Sequence, residues 1–205
     1  MLKQEDRILE TSKELFFRHG IKSITMDDIA HKLGMSKKTI YQFYEDKNAL
    51  LSSLMIMELK AQTKEMLDIR KNSENAIDEM MQSMSCMSRN FSKMNPTLFY
   101  DLQKYHSSAW SHFKNFKEKE LTGFVEENLR RGIKNDLYRK DLKVKTLARL
   151  RLEEVELGFN TTAFPQEQFS ITDVHVTLLE HFLYGVVTLK GYKMINKYKQ
   201  INEEE

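Results

Sequence analysis

A single cysteine, Cys86, is all that 205 residues contain. That excludes an internal disulfide framework and a cysteine-rich zinc module, and it fits a reducing compartment. Prolines number two and glycines seven, too few breakers for a many-stranded sheet. No apolar run approaches the ~18 residues that a membrane span needs. Residues 1–7, Met1-Leu2-Lys3-Gln4-Glu5-Asp6-Arg7, lack the apolar core of a signal peptide. The expectation is a soluble, cytoplasmic protein with no membrane partner. Charge of one sign is missing too. Lys plus Arg is 32 and Asp plus Glu is 30, a net +2, so only a local arrangement can nominate nucleic acid as a partner. No Gly-rich phosphate loop, G-x-S-x-G or H-E-x-x-H occurs. His106 and His112 are six apart, as are His175 and His181, a spacing that does not place two ligands on one helical face. Cys86 has no resolving cysteine near it and reads as a buried, inert thiol. No catalytic residue, metal ligand or cofactor is assigned, and a small helical enzyme built around His106, Trp110 and His112 is only an alternative.

What the chain does have is Met, Leu, Lys and Glu, all helix formers. The expected fold class is all-α. A first helix runs from about residue 3 to Arg18 and stops at His19-Gly20. Thr25-Met26-Asp27-Asp28 resembles a capping box, with Asp28 in the place of the usual Glu. The helix it starts carries Ile29, Ala30 and Leu33 and ends at Gly34. Ser36 reads as the N-cap of a short helix over Lys37–Tyr44, and Asp46 as the cap of a long helix reaching about Arg70.

Residues 25–47 carry the strongest signal. A helix-turn-helix needs a small residue where its helices approach, a turn glycine and an apolar set facing the shared core. Ala30, Gly34, and Ile29, Leu33, Met35, Ile40 and Phe43 supply these in order. The outward set is Ser36, Lys37, Lys38, Thr39, Tyr41, Gln42 and Tyr44, with Lys47 just beyond. Such side chains donate to phosphates and base edges. His31, Lys32, Lys37 and Lys38 add local positive charge. The alternative is an ordinary helical corner with a polar outer face, in a protein that assembles with partners rather than reading DNA.

From about Arg7 to Leu51 the chain also resembles the N-terminal DNA-binding domain of TetR-family transcriptional repressors. The matching stretches are Thr25-Met26-Asp27-Asp28-Ile29-Ala30, then residues 33–44 from Leu33-Gly34-Met35 to Gln42-Phe43-Tyr44, then Asp46-Lys47-Asn48-Ala49-Leu50-Leu51. The resemblance implies a three-helix DNA-binding domain over 1–46 and a helical ligand-binding and dimerisation domain over 47–205. It implies a homodimer on a near-palindromic double-stranded DNA operator, released when a small-molecule effector shifts the Asp46–Arg70 helix. By resemblance Thr25 caps its helix and contacts phosphate, Thr39 and Tyr41 contact backbone or bases, and Lys47 holds a phosphate. Lys38 stands where the family often has glycine, and Tyr44 where phenylalanine is common.

The remaining residues read as a helical body. Ile77, Met80, Met84, Met87, Phe91 and Met94 form a stripe on a helix ending near Asn95-Pro96, with a short helix beginning at Pro96. Leu121, Phe124, Val125 and Leu129 mark a helix within 107–131 that Gly132 breaks, followed by a turn at Asn135-Asp136. A further helix carries Val144, Leu147, Ala148, Leu152 and Val155. After a loop over Gly158–Pro165, a last segment from about Gln166 to Lys199 kinks near Lys190-Gly191. Glu203–Glu205 reads as a frayed tail. Met80, Met84, Met87, Phe91, Trp110 and Phe113 are candidates to line a cavity for an apolar or amphipathic ligand, because methionine adapts to varied shapes; plain core packing is the alternative.

The 171–187 segment is apolar on two sides. Ile171, Val174, Leu178, Phe182 and Gly185 form one stripe, and Val176, Leu179, Leu183 and Val186 a second. Such a helix wants two partners. One is its own body, and the other is inferred to be a second subunit. Val144, Leu147, Leu152 and Val155 join it in a four-helix interface, with Leu150 and Leu157 off that stripe. A fully buried helix in a monomer is the alternative. Paired recognition helices about 34 Å apart, or a multiple, need the dimer. Residues 130–151 hold nine basic residues against Asp136 and Asp141. They read as a solvated face balanced by Glu126, Glu127, Glu153, Glu154 and Glu156.

Overall fold

The computed structural model describes residues 4–92, 94–95 and 97–200. The expected helix start at Pro96 and the Glu203–Glu205 tail lie outside the described residues. The described chain is helical, in the order α1 (Gln4–His19), α2 (Met26–Leu33), α3 (Lys37–Tyr41), α4 (Lys47–Asn72), α5 (Ala76–Phe91), α6 (Thr97–Tyr105), α7 (Ser107–Phe116), a π-helical turn (Lys117–Leu121), α8 (Thr122–Lys134), α9 (Val144–Leu157), α10 (Ile171–Val186) and α11 (Leu189–Lys199). A lone antiparallel bridge pairs Tyr138 with Val187.

These elements form two compact units. The first is Met1–Gln62 with Lys93–Phe116; the second is Thr63–Ser92 with Lys117–Glu205. In the first, α1, α2 and α3 pack around Ile8, Phe16, Ile29 and Ile40, all fully buried. Here α6 is tied to the end of α1. The Asn95 N–H donates to the Phe17 carbonyl at 2.6 Å, and Gly20 turns with φ +81°, leaving room beside Asn95 and Thr97.

The second unit is centred on Ile77, Leu129, Leu137, Tyr138, Leu183 and Ile195. A buried polar network runs through it. The Glu79 carboxylate accepts from Arg70 at 3.0 Å, Arg131 at 2.6 Å and Asn128 at 2.7 Å. Asn128 in turn accepts from the Tyr138 hydroxyl at 3.0 Å. The end of α4 is thereby joined to α5 and α8, and Arg70 also reaches Glu127 and the Phe124 carbonyl. A buried acid is tolerable because every oxygen has a donor.

Three boundaries differ from the sequence expectation. Gly132 does not break α8 but lies inside it. It is buried, and a Cβ there would stand 2.0 Å from the Tyr138 ring. The glycine admits an aromatic ring rather than a turn. The last segment divides at Val187-Thr188, not at Lys190-Gly191, because the Thr188 hydroxyl caps α11 by accepting from the Gly191 N–H. The helix expected within 107–131 is interrupted by the π turn, where the Lys117 side chain is buried against Glu156 and Glu153.

Candidate nucleic-acid interface

The helix-turn-helix is built from its caps. The Thr25 hydroxyl accepts from the Asp28 N–H at 3.2 Å, and the Asp28 carboxylate accepts from the Thr25 N–H at 2.8 Å and its hydroxyl at 2.6 Å. The reciprocal bonds satisfy two orphan donors of the first turn. They also hold the exposed Asp28 carboxyl below its ordinary range. Gly34 ends α2 in the left-handed region, φ 65°, where a side chain costs energy and glycine does not. Ser36 then caps α3 by accepting from the Thr39 N–H at 3.1 Å.

With the caps set, α3 buries Ile40 and turns Lys37, Lys38, Tyr41 and Gln42 outward. Lys37 pairs with Asp27 at 2.8 Å, which raises the ammonium above its usual range. Lys37 also lies 5.9 Å from the Tyr41 ring centre. Thr39 is half-buried and shares a 2.8 Å hydroxyl contact with Ser36. Ser36 and Thr25 are exposed.

Two expected positions change places. Phe43, expected in the core, is 39% exposed, and Tyr44, expected outward, is 3% exposed. The residues after α3 keep helical bonding: Gln42 is in the right-handed region and the Tyr44 N–H donates to the Ile40 carbonyl at 3.1 Å. Tyr44 thus follows the buried Ile40 by one turn, on the side that faces Glu5 of α1. Burial, with Glu5 nearby, pushes the Tyr44 phenol up to about 12.

Lys47, expected to hold a phosphate, has backbone partners within the protein. Its ammonium is half-buried and donates to the carbonyls of Ile21 and Ile24. Burial lowers its pKa from the usual lysine range, while Asp101 and Asp28 act in the other direction. Lys47 thus bridges the start of α4 to the α1–α2 turn. Asn48 beside it shares a 2.6 Å contact with His106 Nδ1. This pair is 58 positions apart in sequence, and no local pattern signals it. His106, weighed above as the seed of an enzyme site, instead ties the α6–α7 junction to the first turn of α4.

The six expected cavity residues are divided. Trp110 and Phe113 are buried in the first unit, their ring centres 4.8 Å apart. Met80, Met84, Met87 and Phe91 are half-buried on α5 in the second unit. A cavity of about 320 Å³ in the second unit is lined by Glu65, Ile69, Met81, Gln82, Ser85, Arg89 and Tyr198, none of the six. The Cys86 thiol is buried, and burial together with Glu65 pushes it up to about 12, as befits an unreactive thiol.

Of the expected interface set, Leu152, Val174 and Phe182 are buried within the protomer itself. Val144, Leu147, Val155, Ile171 and Leu178 are half-buried, and Gly185 is exposed. The apolar residues that α9 turns outward are the off-stripe pair Leu150, 48% exposed, and Leu157, 41% exposed. In the basic run Arg130 pairs with Glu126 and Arg149 with Glu118 and Glu153 at the surface, whereas Arg151, expected on a solvated face, is buried and pairs with Glu154. Among the described residues no cluster of three or more His, Cys, Asp or Glu could hold a metal, and no helix is long and apolar enough to cross a membrane.

Residues 8–54, α1 to the first turns of α4, match the family model of bacterial regulatory proteins of the tetR family. This segment is thus similar to the N-terminal region of TetR-family regulators. The HTH-type transcriptional regulator YvaF of Bacillus subtilis is 30% identical over 117 residues, or 57% of this chain. The match spans 61% of that relative's length. The reduced form of NemR from E. coli is similar in fold, with a TM-score of 0.71 at 14% identity, over 91% of this chain and 98% of that one. A transcriptional regulator from Saccharomonospora viridis, solved in complex with choline, has a TM-score of 0.61 at 18% identity, over 90% and 97% of the two chains.

Proposed function

We propose that the protein is a ligand-responsive transcriptional repressor. It binds a near-palindromic operator as a homodimer and is released by a small amphipathic molecule. In this reading residues 1–46 read DNA, and residues 47–205 hold the ligand and the second subunit. The observation that carries it is the capped α3. Ser36 fixes its start and Gly34 its approach, and Lys37, Lys38, Tyr41 and Gln42 face outward as donors for phosphates and base edges. Thr25 adds a hydroxyl at the N-terminus of α2, where backbone N–H groups attract phosphate.

The cavity beside α4 supports the ligand part. Ile69 and Met81 offer apolar contact, and Glu65 and Arg89 offer one charge of each sign. An amphipathic, charged molecule fits that lining better than a purely apolar one. The choline carried by the Saccharomonospora regulator is a ligand of this kind. A ligand touching Glu65 and Ile69 acts on α4, whose first turn is joined to the α1–α2 turn through Lys47. It changes operator affinity only by binding the DNA-free and DNA-bound states unequally.

The test is fluorescence anisotropy against duplexes selected from a random-sequence pool, with wild type and Tyr41→Ala. Selective, salt-sensitive binding that Tyr41→Ala weakens at least tenfold is the expected result. A pool that yields no preferred sequence overturns the reading.

A further inference from the structure

The first unit carries a cationic surface outside the helix-turn-helix. Lys22, in the α1–α2 turn, places its ammonium 4.7 Å from the ring centre of Tyr105. Lys104 lies 5.4 Å from the same ring and 5.0 Å from that of Tyr100, and donates to the Tyr100 hydroxyl at 2.6 Å. All four residues are exposed.

The partners of these two lysines set them apart. Lys13, Lys37, Lys140 and Lys199 each face a carboxylate, which cancels their charge locally. The contacts of Lys22 and Lys104 are with neutral tyrosines. Cation–π contact orients an ammonium without neutralising it. A hydrogen bond from Lys104, helped by the charges of Lys104 and Lys22, holds the Tyr105 phenol below its ordinary range. Acidic neighbours are otherwise engaged: Asp28 is tied into the capping box, and Asp101 is buried on the inner side of α6.

Position gives the surface its meaning. Thr25 and Asn48 mark the N-terminal turns of α2 and α4. Lys22 is three residues from Thr25, and Tyr105 precedes the His106 that meets Asn48. The α6 helix is held at its start by Asn95 on Phe17 and at its end by His106 on Asn48. The lysine–tyrosine surface is therefore a fixed continuation of the two helix starts.

We propose that Lys22, Lys104, Tyr100 and Tyr105 form a second phosphate-backbone contact, in which α6 grips the duplex flanking the bases that α3 reads. This rests on the DNA-binding reading above. The ammoniums bind phosphate oxygens and the phenols add neutral donors. The contact is blind to sequence, so it strengthens specific and non-specific binding alike.

The experiment measures operator and unrelated duplexes over a salt series with the full chain and two double variants. One is Lys22→Gln with Lys104→Gln. The other, Lys193→Gln with Lys197→Gln, removes the same charge from the exposed side of α11. Each lost lysine–phosphate contact flattens the plot of log affinity against log salt by about 0.9. The first pair is expected to flatten it by about 2 per bound protomer. Both duplexes should lose affinity by the same factor, with the melting temperature unchanged. The α11 pair is expected to leave the slope as it was. An unchanged slope for the first pair, with Tyr41→Ala still weakening operator binding at least tenfold, overturns this proposal and leaves the DNA-binding reading standing. It is also the result expected if the surface serves an acidic protein. Equal flattening by both pairs reduces the effect to net charge and overturns it too. A wild-type chain that binds neither duplex overturns both.

Discussion

The ammonium of Lys47 donates to the backbone carbonyl of Ile21, and to that of Ile24 beside it, closing the α1–α2 turn onto the first residue of α4. The side chain that resemblance assigns to a DNA phosphate therefore has a structural task as well. Shortening it takes a charged donor from both carbonyls and leaves the Ile21 oxygen only the Ile24 N–H at 3.4 Å, which costs more than losing a surface contact.

Lys47→Gln is expected to cost about 2 kcal/mol, the range for hydrogen bonds from a charged donor. In a chain of this size that lowers the melting temperature by roughly 4–8 °C. Scanning calorimetry reads it directly. A melting temperature equal to wild type would show that the contact is not made in solution.

Glu79→Gln tests the polar network in the second unit. The substitution leaves Arg70 and Arg131 facing a neutral amide at a buried site. Breaking a buried pair on one side costs about 3–5 kcal/mol. Urea unfolding should show a lower midpoint at an unchanged slope. A loss below about 0.5 kcal/mol, the size of an exposed pair, would mean that water reaches these groups.

Gly132→Ala separates two readings of one glycine. In an open helix the change to alanine stabilises by about 1 kcal/mol. Here the new Cβ would fall 2.0 Å from the Tyr138 ring, and overpacking of that kind costs about 1–3 kcal/mol. Tyr138 is fully buried and its hydroxyl bonds Asn128 and the Ala76 carbonyl, so the ring has little freedom to withdraw. A more stable Gly132→Ala variant would contradict the packing.

His175 gives the protein an acid limit. It is fully buried between Phe91 and Phe159, ring centres 4.8 and 4.4 Å away, and neither ring nitrogen has a hydrogen-bond partner among the described residues. Burial, with Arg151 nearby, lowers its pKa to about 3. The unfolded chain takes up this proton near pH 6.5 and the folded chain does not. Stability from neutral His175 is therefore full above about pH 6.5 and is lost as pH falls towards 3. Between pH 7 and 5 the loss is about 2 kcal/mol. Urea midpoints of wild type and His175→Phe at both pH values check this. The same acid loss in both would clear His175 of the effect.

For the proposed homodimer, α9 exposes the apolar pair Leu150 and Leu157, seven residues apart and off the stripe expected from the sequence. Leu150→Glu with Leu157→Glu places two charges where a second subunit would pack. Analytical ultracentrifugation should then find a monomer with its helical content intact. A variant that keeps the dimer mass assigns the interface to another face.

The composition by itself determined an all-helical chain, because few breakers and many helix formers leave little else. Residues 25–36 determined their own turn, since caps and a left-handed glycine act over three or four residues. That is why Thr25, Gly34 and Ser36 were legible, and why Lys37, Lys38, Tyr41 and Gln42 could be placed outward. The exchange of Phe43 and Tyr44 was not legible, because both lie within a turn of the buried Ile40 and only the packing against α1 decides which one is covered. The α9 stripe shows the same limit. Periodicity groups Leu152 and Val155 on one face, but only packing decides that Leu152 lies in the protomer's own core while Leu150 and Leu157 face out. Tertiary structure alone brought His106 to Asn48, Arg70 to Glu79, and Lys22 to Tyr105. Each pair joins elements whose separation in space is fixed by buried volume, and no spacing along the chain encodes it.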